Sequence, residues 1–337
     1  MPLSAKKLKY SLLILALGLA AGFAVTFWLV PNNGYIPENN QAGLGTAYLP
    51  EEYRYNLDAY KQVEPKLVLY KELPGFKTGF DEATGISVDG KDNVYICGDI
   101  GVKIFSISGK FLTEIRSKKK ATAITVTPQG GIIYAALQDS VVFKDINTGF
   151  GKKGKGPGEF EYITSMKIIG SELYVADAGN RRVSVFDLTG KYLREFGKND
   201  AKKGVKGFII PSPHMDLAVD KDGSLWVGNT GRLRVDKYSK EGKFLSTWGK
   251  AGSKLEEFIG CCNPANFAIM SDGSFITSEK GLPRIKQYDK TGKFIGVVAP
   301  PSAFNEKCVN MAVAVDSKGK VYALDSVEKR VRIFQKN

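Results

Sequence analysis

From residue 85 onward, short apolar strands alternate with polar turns in a unit that recurs along the chain. The clearest position in this unit is an aromatic residue within an alternating strand, and successive aromatics are 39, 40, 52, 49 and 47 residues apart. They are Tyr95, Tyr134, Tyr174, Trp226, Phe275 and Tyr322. A short apolar strand precedes each aromatic and another strand follows it. Period-two alternation of this kind is typical of half-buried strands, and no helical period appears after residue 61.

Four of the units continue through a Gly-Lys turn into a fourth strand, and four short antiparallel strands per repeat are typical of a propeller blade. Six units are visible, but the last stops after its third strand, at Phe334. An upstream strand at about 66–72 is predicted to supply the missing outer strand and close the ring, because an open edge would leave unpaired backbone groups. The sequence therefore predicts an all-β, six-bladed β-propeller over residues 61–337.

Three segments of the third unit resemble the NHL repeat of six-bladed propellers. They are residues 154–160 (GKGPGEF), 173–183 (LYVADAGNRRV) and 185–191 (VFDLTGK). The resemblance extends over roughly residues 61–337 and is weakest in the second unit. It implies the fold more strongly than an activity, since such propellers serve as binding platforms and a few are lyases or lactonase-like enzymes.

The N-terminal end predicts a membrane anchor. Residues 1–9 carry Lys6, Lys7 and Lys9, and residues 10–30 carry no charge. As a helix, that run would span roughly 30 Å, the thickness of the hydrocarbon core. The positive-inside rule then places the N-terminus in the cytoplasm and the propeller outside it, in the periplasm or at the cell exterior. Residues 31–60, rich in Pro, Asn and Gly, are predicted to be a tether.

A cleaved signal peptide is the competing interpretation of the same segment. The stretch 20–22 (AAG) offers a small-residue cleavage site, although it lies inside the apolar run rather than after it.

Composition and charge narrow the functional classes. With 43% apolar and 25% charged residues, the chain is neither disordered, collagen-like nor a polytopic membrane protein. The formal net charge is +13, and the sign suits nucleic acid. A propeller outside the cytoplasm would not meet nucleic acid. RNA binding is therefore the third hypothesis, and it requires a cytoplasmic location.

The repeat assigns residues to the two faces of the predicted ring. Strands a to d of each blade alternate in direction, so turns a–b and c–d lie on one face, the turn face. Loops b–c and d–a lie on the other, the loop face. The turn face should carry a ring of basic residues, interpreted either as solvated turns or as a surface facing anionic lipid. These residues are Lys110, Lys191, Lys243 and Lys293.

All four cysteines and the only histidine are predicted on the loop face. They are Cys97, Cys261, Cys262, Cys308 and His214. Three interpretations remain open: a disulfide from Cys308 to Cys261 or Cys262, ordinary free thiols, or a metal or redox site. No C-x-x-C pair is present. No cofactor is predicted apart from that metal alternative.

The loop face is also predicted to bind the partner. The candidate residues around the channel mouth are Asp99, Asp216, Glu279, Arg284 and Asn310. Joint replacement of Glu279 and Arg284 is expected to abolish partner capture without lowering the melting temperature.

The leading function is a binding or scaffold platform for a protein or cell-envelope ligand; a small-molecule ligand is the lesser alternative. A lyase- or lactonase-like enzyme, or a redox or metal protein, is the second hypothesis. A single histidine and the absence of a Gly-rich phosphate loop before a helix argue against an enzyme.

Overall fold

The computed structural model describes residues 58–337, except 118, 128–129, 131–132, 138–141, 144–148, 200–205 and 306. Within these residues the regular structure is almost entirely β. It comprises six four-stranded sheets and one short two-stranded pair. The remaining elements are a one-turn helix α1 (Asp58–Lys61) and 3-10 turns at Pro65–Leu67, Thr230–Arg232 and Pro301–Ala303.

The strands, numbered in chain order, form sheets I to VI, each written from the inner to the outer strand. Sheet I contains β2 (Ala83–Val88), β3 (Val94–Gly98), β4 (Gly101–Phe105) and β5 (Phe111–Arg116). Sheet II contains β6 (Ala121–Val126), β7 (Ile133–Leu137), β8 (Val142–Phe143) and β9 (Gly149–Phe150). Sheet III contains β12 (Ile163–Ile169), β13 (Glu172–Asp177), β14 (Arg182–Asp187) and β15 (Tyr192–Phe196).

The second half of the chain continues the pattern. Sheet IV contains β16 (Leu217–Val219), β17 (Leu225–Asn229), β18 (Arg234–Tyr238) and β19 (Phe244–Trp248). Sheet V contains β20 (Asn266–Ile269), β21 (Phe275–Ser278), β22 (Ile285–Tyr288) and β23 (Phe294–Ala299). Sheet VI contains β24 (Ala312–Val315), β25 (Val321–Asp325), β26 (Arg330–Lys336) and β1 (Tyr70–Lys77). The short parallel pair is β10 (Lys152–Lys153) and β11 (Glu159–Phe160).

The inner strands contact one another around a closed ring. Strand β2 contacts β6, then β6 contacts β12, and the series continues through β16, β20 and β24 back to β2. One cluster of buried apolar side chains fills the space between each pair of neighbouring sheets. Apolar burial between adjacent sheets is the main favourable term in such an architecture. The predicted all-β propeller fold is confirmed.

The N-terminal strand forms the outer edge of sheet VI. Strand β1 pairs antiparallel with β26 from Tyr70↔Lys336 to Lys77↔Arg330. The sequence placed this strand at about 66–72, which is several residues too early. Pro65 starts a 3-10 turn, Pro65–Leu67, and the strand begins only at Tyr70. Since Tyr70 lies beside the end of β26, the chain enters the ring from the turn face.

A repeated hydrogen bond explains why an aromatic residue and an Asp recur six residues apart. In sheets I, IV and VI the aromatic side chain is buried between sheets, and its polar end donates to the carboxylate of the preceding a–b turn. These bonds are Tyr95–Asp89 at 3.0 Å, Trp226–Asp220 at 3.1 Å and Tyr322–Asp316 at 3.1 Å. Each of these three residues therefore buries a large ring while its O–H or N–H remains hydrogen-bonded.

The Gly-Lys turns hold neighbouring sheets together. Their glycines have φ between 80° and 93°, a region that L-residues rarely adopt. A Cβ on any of them would also lie 2.5–2.6 Å from an aromatic side chain at the end of the preceding sheet's outer strand. The pairs are Gly109–Phe76, Gly190–Phe150, Gly242–Phe196 and Gly292–Trp248.

Among residues 58–337 with the gaps given above, no helix is long and apolar enough to cross a membrane. The predicted basic N-terminus (1–9), the anchor (10–30) and almost all of the tether (31–60) lie outside the described residues.

Candidate functional site at the channel mouth

Three threonines line one half of the channel where the inner strands begin. Thr84, Thr122 and Thr164 each sit at a register shift between the first and second strands of sheets I to III. Each hydroxyl donates to a carbonyl of the next sheet: Ala121 at 2.5 Å, Ile163 at 2.9 Å and Met215 at 2.7 Å. Because these hydroxyls already donate, their lone pairs remain available as acceptors in the channel.

The other half of the channel carries amides and a carboxylate at the equivalent positions. Asn266 donates to the Asn310 side-chain oxygen at 2.7 Å. The Asp216 carboxylate accepts from the Ser165 hydroxyl at 2.6 Å and from the Phe267 N–H at 2.9 Å. Asp216 thus connects sheets III, IV and V, and its hydrogen bonds give it a structural role deeper in the channel.

A cavity of about 340 Å³ opens between these two halves on the loop face. Its polar lining combines the three threonine hydroxyls with Tyr162, His214, Asn266, Asn310, Lys120 and Lys280. A cavity of this size accommodates a small polar ligand. We call this cavity the mouth.

His214 lies in the wall of the mouth as a neutral imidazole. Burial, reinforced by the positive charge of Lys280, lowers its pKa to about 4. Its Nδ1 is 3.4 Å from the Asn310 side-chain nitrogen. The ring therefore contacts an amide. An imidazole that acts as a general base is usually oriented by a carboxylate.

Lys280 is the cation of the mouth that lacks an acidic partner. Its Nζ is 3.5 Å from the Ser212 hydroxyl, and no carboxylate within the described part of the chain lies at salt-bridge distance. Its backbone is held by Asn263, whose side-chain oxygen accepts the Lys280 N–H at 2.7 Å. The other lysine of the mouth, Lys120, is paired with Glu82.

Glu279 and Arg284, two predicted binding residues, are instead buried between sheets IV and V. Arg284 donates to both Glu279 oxygens, and Lys286 Nζ lies 3.4 Å from the same carboxylate. Lys286 also donates to the carbonyls of Leu255 at 3.0 Å and Glu257 at 2.8 Å. Burial lowers the pKa of Lys286 to about 7, because one carboxylate cannot compensate two buried cations.

The double replacement of Glu279 and Arg284 is therefore unsuited as a test of binding. Both side chains are at most 2% exposed, so they cannot reach a partner, and their loss would disturb the packing of the two sheets. Asp99, a third predicted binding residue, is half-buried on the b–c loop of sheet I and does not line the mouth. Asn310 does line it.

The four cysteines are free thiols, and only two of them meet. The sulfurs of Cys261 and Cys262 are 3.1 Å apart. Cys97 is buried in the cluster between sheets I and II, and Cys308 in the cluster between sheets V and VI. The structure thus contains no disulfide between Cys308 and Cys261 or Cys262, which was one of the three alternatives.

No group of three or more His, Cys, Asp or Glu side chains converges within the described residues. His214 and the three loop cysteines therefore do not assemble there into a metal site.

The four lysines of the Gly-Lys turns are exposed. Two of their turns also contain an aspartate, since Asp187 and Asp289 each accept the N–H of the turn lysine at 3.0 Å. The positive charge of these two lysines is therefore partly offset.

Lys280, Asn266 and the three threonines were not among the predicted site residues. The repeat contains the signal that locates most of them. When the units are aligned on strand register, the equivalent residues at the start of the six inner strands are Thr84, Thr122, Thr164, Asp216, Asn266 and Ala312. Alignment of the units at this position would have placed these side chains in the channel.

Comparison with known proteins shows the fold and no family. No family model matches the chain, and no curated protein matches it. Among solved structures, virginiamycin B lyase from Staphylococcus aureus is similar with a TM-score of 0.51 and 14% identity, covering 76% of this chain and 81% of that one. A streptogramin B lyase has a TM-score of 0.53 and 13% identity, covering 80% and 98%. The WD40 propeller domain of Doa1 has a TM-score of 0.51 and 13% identity, covering 76% and 79%. At such identities these likenesses establish a β-propeller and leave its task open.

Proposed function

We propose that this protein is a binding platform whose mouth holds an anionic, hydroxyl-bearing ligand, such as an acidic sugar unit of a cell-envelope glycan. The observation that carries the proposal is the Lys280 ammonium, which has no acidic partner among the described residues, in a cavity whose other polar groups are mainly hydroxyls and amides. A carboxylate would pair with Lys280, and ligand hydroxyls would donate to the threonine oxygens.

The same geometry favours binding over catalysis. His214 is neutral and contacts an amide, and its low pKa makes it a weak proton acceptor. Two of the similar structures are lyases by name, but the low identity does not transfer that activity to this chain.

Titration of the full chain with matched sugars tests the proposal. Hexuronic acid oligosaccharides should bind, and neutral oligosaccharides of the same length should bind at least about tenfold more weakly, which corresponds to about 1.4 kcal/mol. Lys280→Met should lose this preference. Lys243→Met, on the turn face, should retain it. Equal binding of acidic and neutral sugars, or an unchanged preference in Lys280→Met, would contradict the proposed site.

We further propose that the six sheets are NHL-like blades. In sheet III the buried Arg182 donates to the carbonyls of Lys155, Gly156 and Glu159, which belong to the GKGPGEF loop. In sheet V, Lys286 makes the analogous contacts to the loop at 249–258. A buried cation thus binds the loop before the sheet in two units, from different strand positions, and this supports the NHL-like assignment.

Membrane attachment through residues 10–30 and an extracytoplasmic location are part of the same proposal. Support comes from the entry of the chain on the turn face, opposite the mouth. Exposed Phe111, Leu112, Phe244 and Leu245 follow the Gly-Lys turns on that side. The full chain is expected to remain with the membrane fraction after an alkaline wash. A variant that lacks residues 10–30 should instead be released into the wash. Release of the full chain into the wash would contradict attachment.

A further inference from the structure

The adjacent thiols of Cys261 and Cys262 lie on the loop that flanks the mouth. Cys261 is exposed, whereas Cys262 is 2% exposed. Their sulfurs are 3.1 Å apart, and an S–S bond requires about 2.05 Å. A shift of roughly 1 Å would therefore bring the sulfurs to bonding distance.

The loop holds this pair in a fixed position. The side chain of Asn263, the residue after the pair, is 1% exposed. Its amide donates to the Ile259 carbonyl at 2.6 Å and to the Lys280 carbonyl at 3.2 Å. These bonds anchor both sides of the pair to the backbone of the mouth.

The surroundings of the two thiols are unequal. Burial raises the pKa of the Cys262 thiol, opposed by a hydrogen bond with Ser212 and by the positive charge of Lys280. The exposed Cys261 is therefore the thiol that meets a reagent first, and Cys262 is placed behind it to react with whatever Cys261 has bound.

We propose that Cys261 and Cys262 form a redox site that exchanges with a small-molecule or peptide disulfide and closes to a reversible vicinal disulfide. This inference is independent of the sugar-binding proposal. It assigns Cys261 as the attacking thiol and Cys262 as the resolving thiol.

The exchange balances in two steps. The Cys261 thiolate attacks one sulfur of the incoming disulfide, forms a mixed disulfide and releases the first thiolate. The Cys262 thiolate then attacks the Cys261 sulfur and releases the second. Two electrons pass from the cysteine pair to the incoming disulfide, and the two protons of the pair end on the two released thiols. A disulfide between chain neighbours is strained, because their Cα atoms are about 3.8 Å apart, so a thiol reductant readily opens it.

The other cysteines serve as internal controls. Cys97 and Cys308 are at most 2% exposed. Burial raises the pKa of each to about 11. In the reduced, folded protein, iodoacetamide should label Cys261 at least about tenfold faster than either of them.

Mass spectrometry of the full chain after incubation with oxidised glutathione tests the proposal. Trypsin cleaves after Lys254, Lys280, Lys307 and Lys318, so residues 255–280 carry only this pair and residues 308–318 carry Cys308. After alkylation, peptide 255–280 should lack both alkyl groups and be lighter by two hydrogens than the reduced peptide. Dithiothreitol should restore both alkylation sites.

Two variants separate the roles. Cys262→Ser should accumulate glutathione on Cys261, because the resolving thiol is gone. Cys261→Ser should take up no glutathione. Because Cys261 is exposed, this substitution should not disturb folding. Two alkyl groups on peptide 255–280 after oxidation, or a link between peptides 255–280 and 308–318, would overturn the proposal.

Discussion

At the scale of single residues, the charged side chains of the loop face have two different roles. Some are buried and support the fold, and one is available to a ligand. Glu279, Arg284 and Lys286 compensate one another out of reach of solvent, whereas Lys280, next in sequence to Glu279, faces the mouth with no acidic partner in the part of the chain that the structure describes. The sequence places Glu279, Lys280 and Arg284 together on one loop and Lys286 in the strand that follows. It could not show which were buried, because that depends on the inward or outward direction of each side chain.

Replacement of Glu279 tests the structural role of the buried ions. Glu279→Gln leaves Arg284 buried without a counter-charge and should lower the free energy of unfolding by about 3–5 kcal/mol. Chemical denaturation measures this loss. The control is Asp81→Asn, which removes an exposed pair with Lys329 and should leave the free energy of unfolding nearly unchanged. Equal effects of the two substitutions would contradict the buried assignment.

The low pKa of His214 predicts an acid-sensitive fold. The pKa is about 4 in the folded chain and about 6.5 when unfolded, so the unfolded state binds more protons between these values. Stability should therefore fall as the pH drops from 6.5 to 4, by about 2 kcal/mol from this residue after allowance for solvent at the mouth. Chemical denaturation at a series of pH values gives the free energy of unfolding of the wild type and of His214→Gln. The difference between the two proteins should change between pH 6.5 and 4 and stay constant above pH 7. A difference in the free energy of unfolding that stays constant over the whole pH range would show that the imidazole is not held neutral.

At the scale of elements, four of the six units contain a contact of their own to the preceding unit. The Gly-Lys turn of one sheet packs its glycine on the aromatic side chain that ends the outer strand of the preceding sheet. The sequence identified the turns from their Gly-Lys pairs. It did not identify their aromatic partners, because each partner lies in the preceding unit and is adjacent only in space.

A pair of glycine substitutions isolates that contact. Gly242→Ala must place a Cβ 2.6 Å from the Phe196 side chain at φ 90°, whereas Gly170→Ala adds a Cβ at φ 58° with no atom within 4 Å. The second should cost about 1 kcal/mol for its backbone conformation alone. The first should cost at least about 2 kcal/mol, since the ring must also shift. Melting experiments on both variants measure the difference, and similar losses would mean that the turns do not join the sheets.

At the scale of the whole molecule, periodicity alone predicted the propeller, the direction of its strands and the grouping of loops on two faces. The position of the closing strand was less predictable, because Pro65 delays its start and a bulge between Leu73 and Phe76 lengthens it. The mouth was the least predictable feature, since its residues come from inner strands and d–a loops of different units. Ring closure, which no single segment encodes, brings them together.

In the proposed arrangement the loop face binds the ligand, while the turn face lies toward the membrane. Photo-cross-linking from one exposed position on each face tests it most directly. A photoreactive residue would replace Val309, which is 62% exposed at the mouth, or Lys243 on the turn face, in the full chain reconstituted into anionic vesicles with a hexuronic acid oligosaccharide. Position 309 should cross-link to the oligosaccharide and position 243 to lipid. Cross-linking of the oligosaccharide from position 243, or of lipid from position 309, would contradict it.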